Sequence, residues 1–352
     1  MSVPHCRPKG RQPKPGAAHR RTIVTPFLGK GAGGMEASAE ATGRACPLGY
    51  RYGAAALRAC PEHHAATLYV IGGLYGNLPA LEAILALAAR EPTPVTLCFN
   101  GDFNWFDVDD AGFAAINRAV LEHDALLGNV EAELLAPGDD AGCGCAYPAQ
   151  VDDGTVERSN RIHARLKATA RRHPHIVARL GRLPMLRRYR VGGLAVGVVH
   201  GDAESLAGWR FDVAALDDPG NRPWLEAAFA EAGVDAFAST HTCLPALRTF
   251  DIGGRRRAVV NNGAAGMPNF RGERTGLITR IGTAPGPHPV LYGARLRGVH
   301  LDALPVPYDA ARWELAFLAN WPPGSDAHVS YFRRIRDGAD FTPARARGAD
   351  GL

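Results

Sequence analysis

Four side chains able to hold a cation each stand just past an apolar run of the sequence. Asp102 follows Gly101, Asn129 follows Gly128, His200 precedes Gly201-Asp202, and His241 sits in Thr240-His241-Thr242. Taken singly, each signal is weak. Gly-Asp and Gly-Asn are everyday turn dipeptides, and a lone histidine after a strand is most often a satisfied structural group. Together, a carboxylate oxygen, an amide oxygen and two imidazole nitrogens make a mixed O/N donor set. That set suits Mn²⁺, Fe²⁺ or Zn²⁺ and differs from a Ca²⁺ cage or a thiolate site. One divalent ion is expected, with an open position for water or a phosphate oxygen. The blander reading has the same four residues tying loops together without metal.

The elements that must position them follow from apolar patterning. Thr67–Ile71 reads as a buried strand, followed by the loop Gly72-Gly73-Leu74-Tyr75-Gly76-Asn77. Pro79 then opens an amphipathic helix, since proline is tolerated in a first helical turn. Val95–Asn100 is a second strand ending at Gly101-Asp102, Asp109-Asp110 cap a helix over Ala111–Glu122, and Asp124–Leu127 leads into Gly128-Asn129. Later strands are expected at Met185–Arg190, Leu194–Val199, Ala236–Ser239, Ala246–Asp251, Arg257–Asn261 and Thr275–Ile281. The Val290–Leu304 region reads as a hairpin turning near Gly293. Helices are expected at Thr155–Arg172, from there to Gly181, at Trp224–Ala232 and, singly in the tail, at Asp309–Asn320. This alternation predicts a layered α/β fold with polar residues at strand ends, where open α/β sheets bind ligands.

The motif order resembles that of the metallophosphoesterases (calcineurin-like phosphoesterases): Asp-x-His, Gly-Asp, Gly-Asn-His-Asp/Glu, a lone His, then Gly-His-x-His. It runs from Leu68 to Ile281 and is reinforced by Gly76-Asn77-Leu78-Pro79-Ala80-Leu81-Glu82-Ala83 and by Asn261-Asn262-Gly263-Ala264. The resemblance implies a layered metallophosphoesterase-like β-sandwich flanked by helices. It also implies a metal-dependent hydrolase of a phosphomonoester or phosphodiester. Three departures matter. Gly73-Leu74-Tyr75 stands for Asp-x-His, Gly128-Asn129-Val130-Glu131 for Gly-Asn-His-Glu, and Thr240-His241-Thr242-Cys243 for Gly-His-x-His. Mapped onto the family's two metal sites, the lost ligands all belong to the first. The second site keeps Asp102, Asn129, His200 and His241.

Catalytic residues are therefore not assigned, because the family's general-acid histidine is Val130, which cannot move a proton. Tyr75 and Cys243 stand where first-site ligands would be, and a tyrosinate or thiolate can bind metal, so an altered first site stays open. The loop around Gly73, Gly76 and Asn77 offers backbone N–H groups at a helix start and could cradle a phosphate; a plain tight turn is the alternative. Glu131 and Asp202 adjoin ligands and could orient them. Cys143-Gly144-Cys145 reads as a flexible turn rather than a metal motif. His163, His173 and His175 read as solvated, and Arg158 and Arg161 as candidates to meet a phosphate. The functional alternative to a hydrolase is a catalytically impaired phosphate- or nucleotide-binding protein with a regulatory role.

Composition sets the frame. The chain has 352 residues, 46% hydrophobic and 21% charged, enough for a large core. Its formal net charge of +5 is local: residues 1–34 carry seven basic side chains and no acid, so the rest sums to −2. No nucleic-acid surface follows, and no stretch is long and apolar enough to span a bilayer. The partner expected is a small phosphorylated molecule; oligomeric state is not legible. Seven irregularly spaced cysteines suit reduced thiols, hence a cytoplasmic protein. Arginine far outnumbers lysine, as in GC-rich bacterial genomes. Residues 1–45 read as a disordered basic extension, with Met35 an alternative start. Residues 46–305 form the main domain, with a lid or insertion over 132–180, and residues 306–352 carry a helix and tail.

Overall fold

Strand β1 (Glu62–Ala65) and the buried run β2 (Thr67–Ile71) begin the two sheets of the molecule, whose computed structural model describes residues 42–348. Leu68 and Val70 of β2 face one core while Tyr69 and Ile71 face another, so both faces are covered. That is why the run is apolar throughout instead of alternating. A short helix α1 (Ala55–Ala59) precedes these strands, and α2 (Leu78–Ala89), β3 (Val95–Phe99), α3 (Asp110–Val120) and β4 (Asp124–Ala125) follow. Asn77 caps α2 by accepting from the Ala80 N–H at 3.0 Å, and Asp109 caps α3 by accepting from the Gly112 N–H at 2.7 Å.

Helices α4 (Asn129–Leu135), α5 (Asp153–Ala170) and α6 (Pro174–Leu180) precede the antiparallel pair β5 (Leu186–Val191) and β6 (Leu194–Val199). Then come α7 (Val213–Asp217), α8 (Arg222–Ala232), β7 (Ala236–Ser239), β8 (Ala246–Ile252), β9 (Arg255–Asn261) and β10 (Gly276–Gly282). A hairpin of β11 (Tyr292–Leu296) and β12 (Val299–Val306) closes the sheets. One sheet has the order β11-β12-β10-β2-β3-β4, the other β1-β5-β6-β7-β9-β8. They pack face to face through Leu68, Val70, Val196, Val198, Ile281 and Leu301. Helices α2, α3 and α9 (Ala310–Asn320) cover the outer face of the first sheet, with Ile84, Ile116 and Phe317 in a second core.

Strands β2, β3 and β4 are mutually parallel, as are β6, β7 and β9. Their C-terminal ends therefore emerge together at one edge, and the loops carrying Asp102, Asn129, His200 and His241 all leave from that edge.

Three expectations need revising. The hairpin turns at Arg297-Gly298, both with positive φ (52° and 84°), whereas Gly293 lies inside β11 opposite Asp302. A two-residue hairpin loop of this kind matches the strand twist, which fixes the turn there. Among the described residues the tail holds three helices, not one: α10 (Asp326–Asp337) and α11 (Pro343–Arg347) follow α9, and α10 packs on α5. Residues 1–41 lie outside the described residues, but 42–45 are ordered. Arg44 donates to Pro148 O at 3.0 Å, to Val151 O at 2.7 Å and to Asp153 Oδ1 at 2.6 Å, tying the chain to the 132–180 segment. Among the described residues, no helix is long and apolar enough to cross a membrane.

Candidate metal centre

Gly101 and Gly128 are glycines because two loops meet backbone to backbone. A Cβ on Gly101 would strike Gly128 and the His200 ring, and one on Gly128 would strike Asp102. Asp102 itself has φ of 56°, a conformation that costs a non-glycine residue about 1 kcal/mol or more. What holds it is Glu131. The buried Glu131 carboxylate accepts from the N–H groups of Asp102 (2.7 Å), Phe103 (3.1 Å), Asn104 (3.3 Å) and Gly128 (3.2 Å). Burial and the nearby Asp102 charge push the Glu131 carboxyl up to about 7. Glu131 therefore fixes the backbone that carries the ligand rather than the ligand's side chain.

Each of the other donors is pinned from behind. Asn129 Nδ2 donates to Cys143 O at 2.8 Å, which leaves Oδ1 pointing at His200 Nε2, 3.1 Å away. His200 Nδ1 faces Asn100 O at 2.7 Å and His241 Nε2 faces Cys145 O at 3.0 Å. A carbonyl only accepts, so both of those ring nitrogens carry the proton. In the neutral rings, His200 Nε2 and His241 Nδ1 then present lone pairs to one another across 3.3 Å. Asp102 Oδ2 lies 3.3 Å from His200 Nε2.

Four acceptors thus converge with no donor among them, and all are buried, Asp102 and His241 being 6% exposed and Asn129 and His200 at most 1%. Such a cluster needs a positive charge at its centre, either a proton or a cation. Burial disfavours charge on His200, but Asp102, the Asn100 carbonyl and Glu131 together outweigh it and raise the imidazole's affinity for a proton. Burial and the neighbouring His200 push His241 down to about 4, so that ring stays neutral. Burial also opposes charge on Asp102, yet His200, His241 and the Val130 N–H together hold its carboxyl below the usual range. Contacts of 3.1–3.3 Å are close to the edge of a tetrahedron, about 3.3 Å, for bonds of about 2.0–2.1 Å. The donor set fits a borderline divalent ion. Among the described residues, the Asp102, His200 and His241 donor atoms also lie within 4.8 Å of one another.

The first-site position is built differently. The Tyr75 ring lies against Gly73 and fills the space a side chain there would occupy. Its hydroxyl meets Cys243 Sγ at 2.9 Å. Burial raises both groups, Tyr75 well above the usual phenol range, and the two satisfy one another. Of the phosphate cradle expected at Gly73, Gly76 and Asn77, the Gly76 and Asn77 groups are already engaged. The N–H groups of Tyr75, Gly76 and Asn77 donate to Asp102 O (3.2 Å), Phe103 O (2.8 Å) and Leu74 O (3.0 Å), and Asn77 spends its side chain on Ala80 N and Gly266 O. This loop is a packed turn bracing the Asp102 loop.

Asp202 does not orient His200. Its carboxylate accepts from the N–H groups of Glu204 (2.9 Å), Ser205 (3.1 Å) and Arg210 (3.2 Å), closing the loop after β6. Val130 is buried; its N–H donates to Asp102 Oδ1 at 3.2 Å. His163, expected in solvent, is 2% exposed and bonds Val130 O at 3.0 Å, with burial pushing it down to about 4. His173 instead pairs with Asp110 at 2.8 Å. Arg158 bonds Ser330 (2.8 Å) and Arg161 bonds Asp326 (2.7 Å), so both guanidinia anchor α10 rather than facing the centre.

A cavity of about 190 Å³ opens on Asp102, Asn129 and His241. Its walls are aromatic and apolar, including Trp105, Tyr147, Trp209, Tyr331 and Met267, with no arginine or lysine among the lining residues. Tyr331 comes from α10, so the C-terminal region roofs the site. No sequence signal marked these residues, because they come from segments whose proximity is purely tertiary. A larger surface depression of about 300 Å³, lined by Asp235 and four arginines, contains none of the candidate ligands.

No protein-family model matches the chain, and no curated protein matches it. Solved structures do resemble it. A hypothetical protein, PH1004, from Pyrococcus horikoshii OT3 is 15% identical over 78% of this chain and 99% of its own, with a TM-score of 0.52. A metallophosphoesterase from Sphaerobacter thermophilus is 16% identical over 78% of this chain and 100% of its own, with a TM-score of 0.47. At these identities the likeness bears on the fold. Two mixed sheets packed face to face and flanked by helices form the layered α/β sandwich expected from the sequence, a fold shared with the Pyrococcus horikoshii protein.

Proposed function

We propose that this protein is a divergent metal-dependent phosphoesterase working with a single divalent cation, Mn²⁺, Fe²⁺ or Zn²⁺. The observation that carries the reading is the set of four acceptors, Asp102 Oδ2, Asn129 Oδ1, His200 Nε2 and His241 Nδ1, turned toward one another by hydrogen bonds behind them. These four residues would hold the ion. A cation there supplies Lewis acidity and a more acidic bound water. Glu131 keeps the Asp102 loop in its strained conformation, and the aromatic walls limit water. With no basic side chain on those walls, a singly charged phosphodiester is desolvated at lower cost than a doubly charged monoester, which favours the diester as substrate.

The test is metal analysis of the purified protein, followed by hydrolysis of bis(p-nitrophenyl) phosphate and p-nitrophenyl phosphate with added Mn²⁺. One ion per chain and diester turnover that His200→Ala abolishes are expected. Failure to retain any divalent ion would sink the proposal. The Tyr75 ring over Gly73 and the proton-inert Val130 favour a second reading, a binding protein without turnover. Retained metal and phosphate binding with no hydrolysis of either ester would select it.

A further inference from the structure

Two of the four cation-facing side chains are held by one tripeptide. Cys143 O accepts from Asn129 Nδ2 at 2.8 Å, and Cys145 O accepts from His241 Nε2 at 3.0 Å. The indole N–H of Trp209, whose ring centroid lies 5.2 Å from that of His241, also donates to Cys145 O, at 3.1 Å. Between the cysteines Gly144 turns the chain with φ of 65°, and a Cβ there would strike the Tyr50 hydroxyl and Glu133. The two sulfurs are paired, with Cα atoms 5.4 Å apart, inside the ordinary span for a disulfide. Cys143 is fully buried, whereas Cys145 is 7% exposed and lines the cavity. This overturns the expectation of a free flexible turn with reduced thiols.

The disulfide closes a small ring that contains the carbonyl carbon of Cys143 and ends at the Cα bearing the Cys145 carbonyl. Fixing that ring fixes the Cys143 carbonyl, which holds the amide of Asn129, and anchors the Cα from which the Cys145 carbonyl projects toward the rings of His241 and Trp209. We propose that Cys143 and Cys145 are a reversible dithiol–disulfide pair whose oxidised form holds Asn129 and His241 ready for the cation and whose reduction loosens that grip. The redox chemistry is thiol–disulfide exchange. A thiolate of a small dithiol attacks Cys145 Sγ from the cavity, the S–S bond breaks, and Cys143 leaves as a thiolate that takes a proton. The second thiolate of the dithiol then attacks its own bound sulfur and releases Cys145, which takes a proton, and the reductant departs as a cyclic disulfide. Reoxidation needs a low-molecular-weight disulfide, which accepts the two electrons and leaves as two thiols.

The inference concerns the cation site of the proposed function and rests on that reading for its consequence, but not for its structural part. The full-length protein is prepared oxidised with glutathione disulfide and, separately, reduced with dithiothreitol that is then removed. Alkylation and peptide mapping report the state of Cys143 and Cys145, and Mn²⁺ affinity is measured for each form. The oxidised form is expected to bind Mn²⁺ roughly ten- to a hundredfold more tightly, the range seen when groups that orient metal ligands are lost. A Cys143→Ser/Cys145→Ser variant is expected to bind as the reduced form does and to ignore either reagent. Equal affinity in the two wild-type forms, or thiols that stay alkylatable after glutathione disulfide, overturns the inference without help from the variant. Should neither form bind Mn²⁺, the cation reading falls, and the indole N–H resonance of Trp209 decides the remainder. A shift between the two wild-type forms upholds the coupling to the Cys145 carbonyl, and no shift refutes it.

Discussion

At the scale of single residues, the centre is organised by what stands behind each donor. Glu131 shows this most clearly, because its carboxylate holds four backbone N–H groups around a strained Asp102. Glu131→Ala leaves those buried donors without an acceptor, so a loss of about 2–4 kcal/mol is expected by urea unfolding, together with weaker binding of the cation proposed for this centre. Gly73 supplies a second test. Gly73→Asp alone puts a side chain into the Tyr75 ring and is expected to destabilise the fold by about 1–3 kcal/mol. Gly73→Asp combined with Tyr75→His removes that clash, and part of the stability is expected to return, read as the denaturation midpoint. A double variant no more stable than Gly73→Asp would show that the Tyr75 ring is not what occupies the vacated position.

At the scale of elements, two charged clusters hold strands in place. Glu62 of β1 bonds both Arg188 (2.9 Å) and Arg190 (2.8 Å) of the parallel partner β5. These bonds to Arg190 and Arg188 lower the Glu62 carboxyl from 4.5 to about 2. A depressed folded-state value means stability that is present above about 4.5 and lost as pH falls from there towards about 2. Glu62→Gln is accordingly expected to flatten the fall in urea midpoint over that window and to leave its slope near neutrality unchanged. Deeper in, Arg280 of β10 meets Glu91 at 2.6 Å with both side chains at most 2% exposed, and Tyr69 donates to the same carboxylate at 2.7 Å. Glu91→Ala takes the nearer carboxylate from a buried guanidinium that keeps Asp302 Oδ2 at 3.3 Å and Ala284 O at 3.0 Å, and a loss of about 1–3 kcal/mol is expected in chemical denaturation.

At the scale of the molecule, the C-terminal region closes over an edge built by residues 102–243. Helix α10 packs on α5 and supplies Tyr331 to the cavity wall, while its Arg334 donates to Cys243 O at 2.9 Å and Pro268 O at 3.0 Å. Tyr331→Ala is expected to cost about 1–3 kcal/mol and to let a chelator strip the ion faster than from the wild type, measured by stopped flow. An unchanged stripping rate would show that the roof does not limit access.

The sequence by itself determined which polar residues end which strands. Leu194–Val199 and Ala236–Ser239 were legible to the residue, because an apolar run bounded by glycine or polar residues is a local pattern. Together with the order of the motifs, which resembles that of the metallophosphoesterases, this named Asp102, Asn129, His200 and His241 as a set expected to converge. Only the tertiary structure decided what surrounds them. Tyr75 fills the space at Gly73, the carbonyls of Cys143 and Cys145 aim two of the ligands, and Tyr331 arrives from a tail helix that the sequence pattern left unmarked. These contacts join segments far apart in the chain; Tyr75 and Cys243 are separated by 168 residues. No periodicity within either segment encodes the partner, because side-chain packing is selected by the shape of the folded interior rather than by neighbours along the chain.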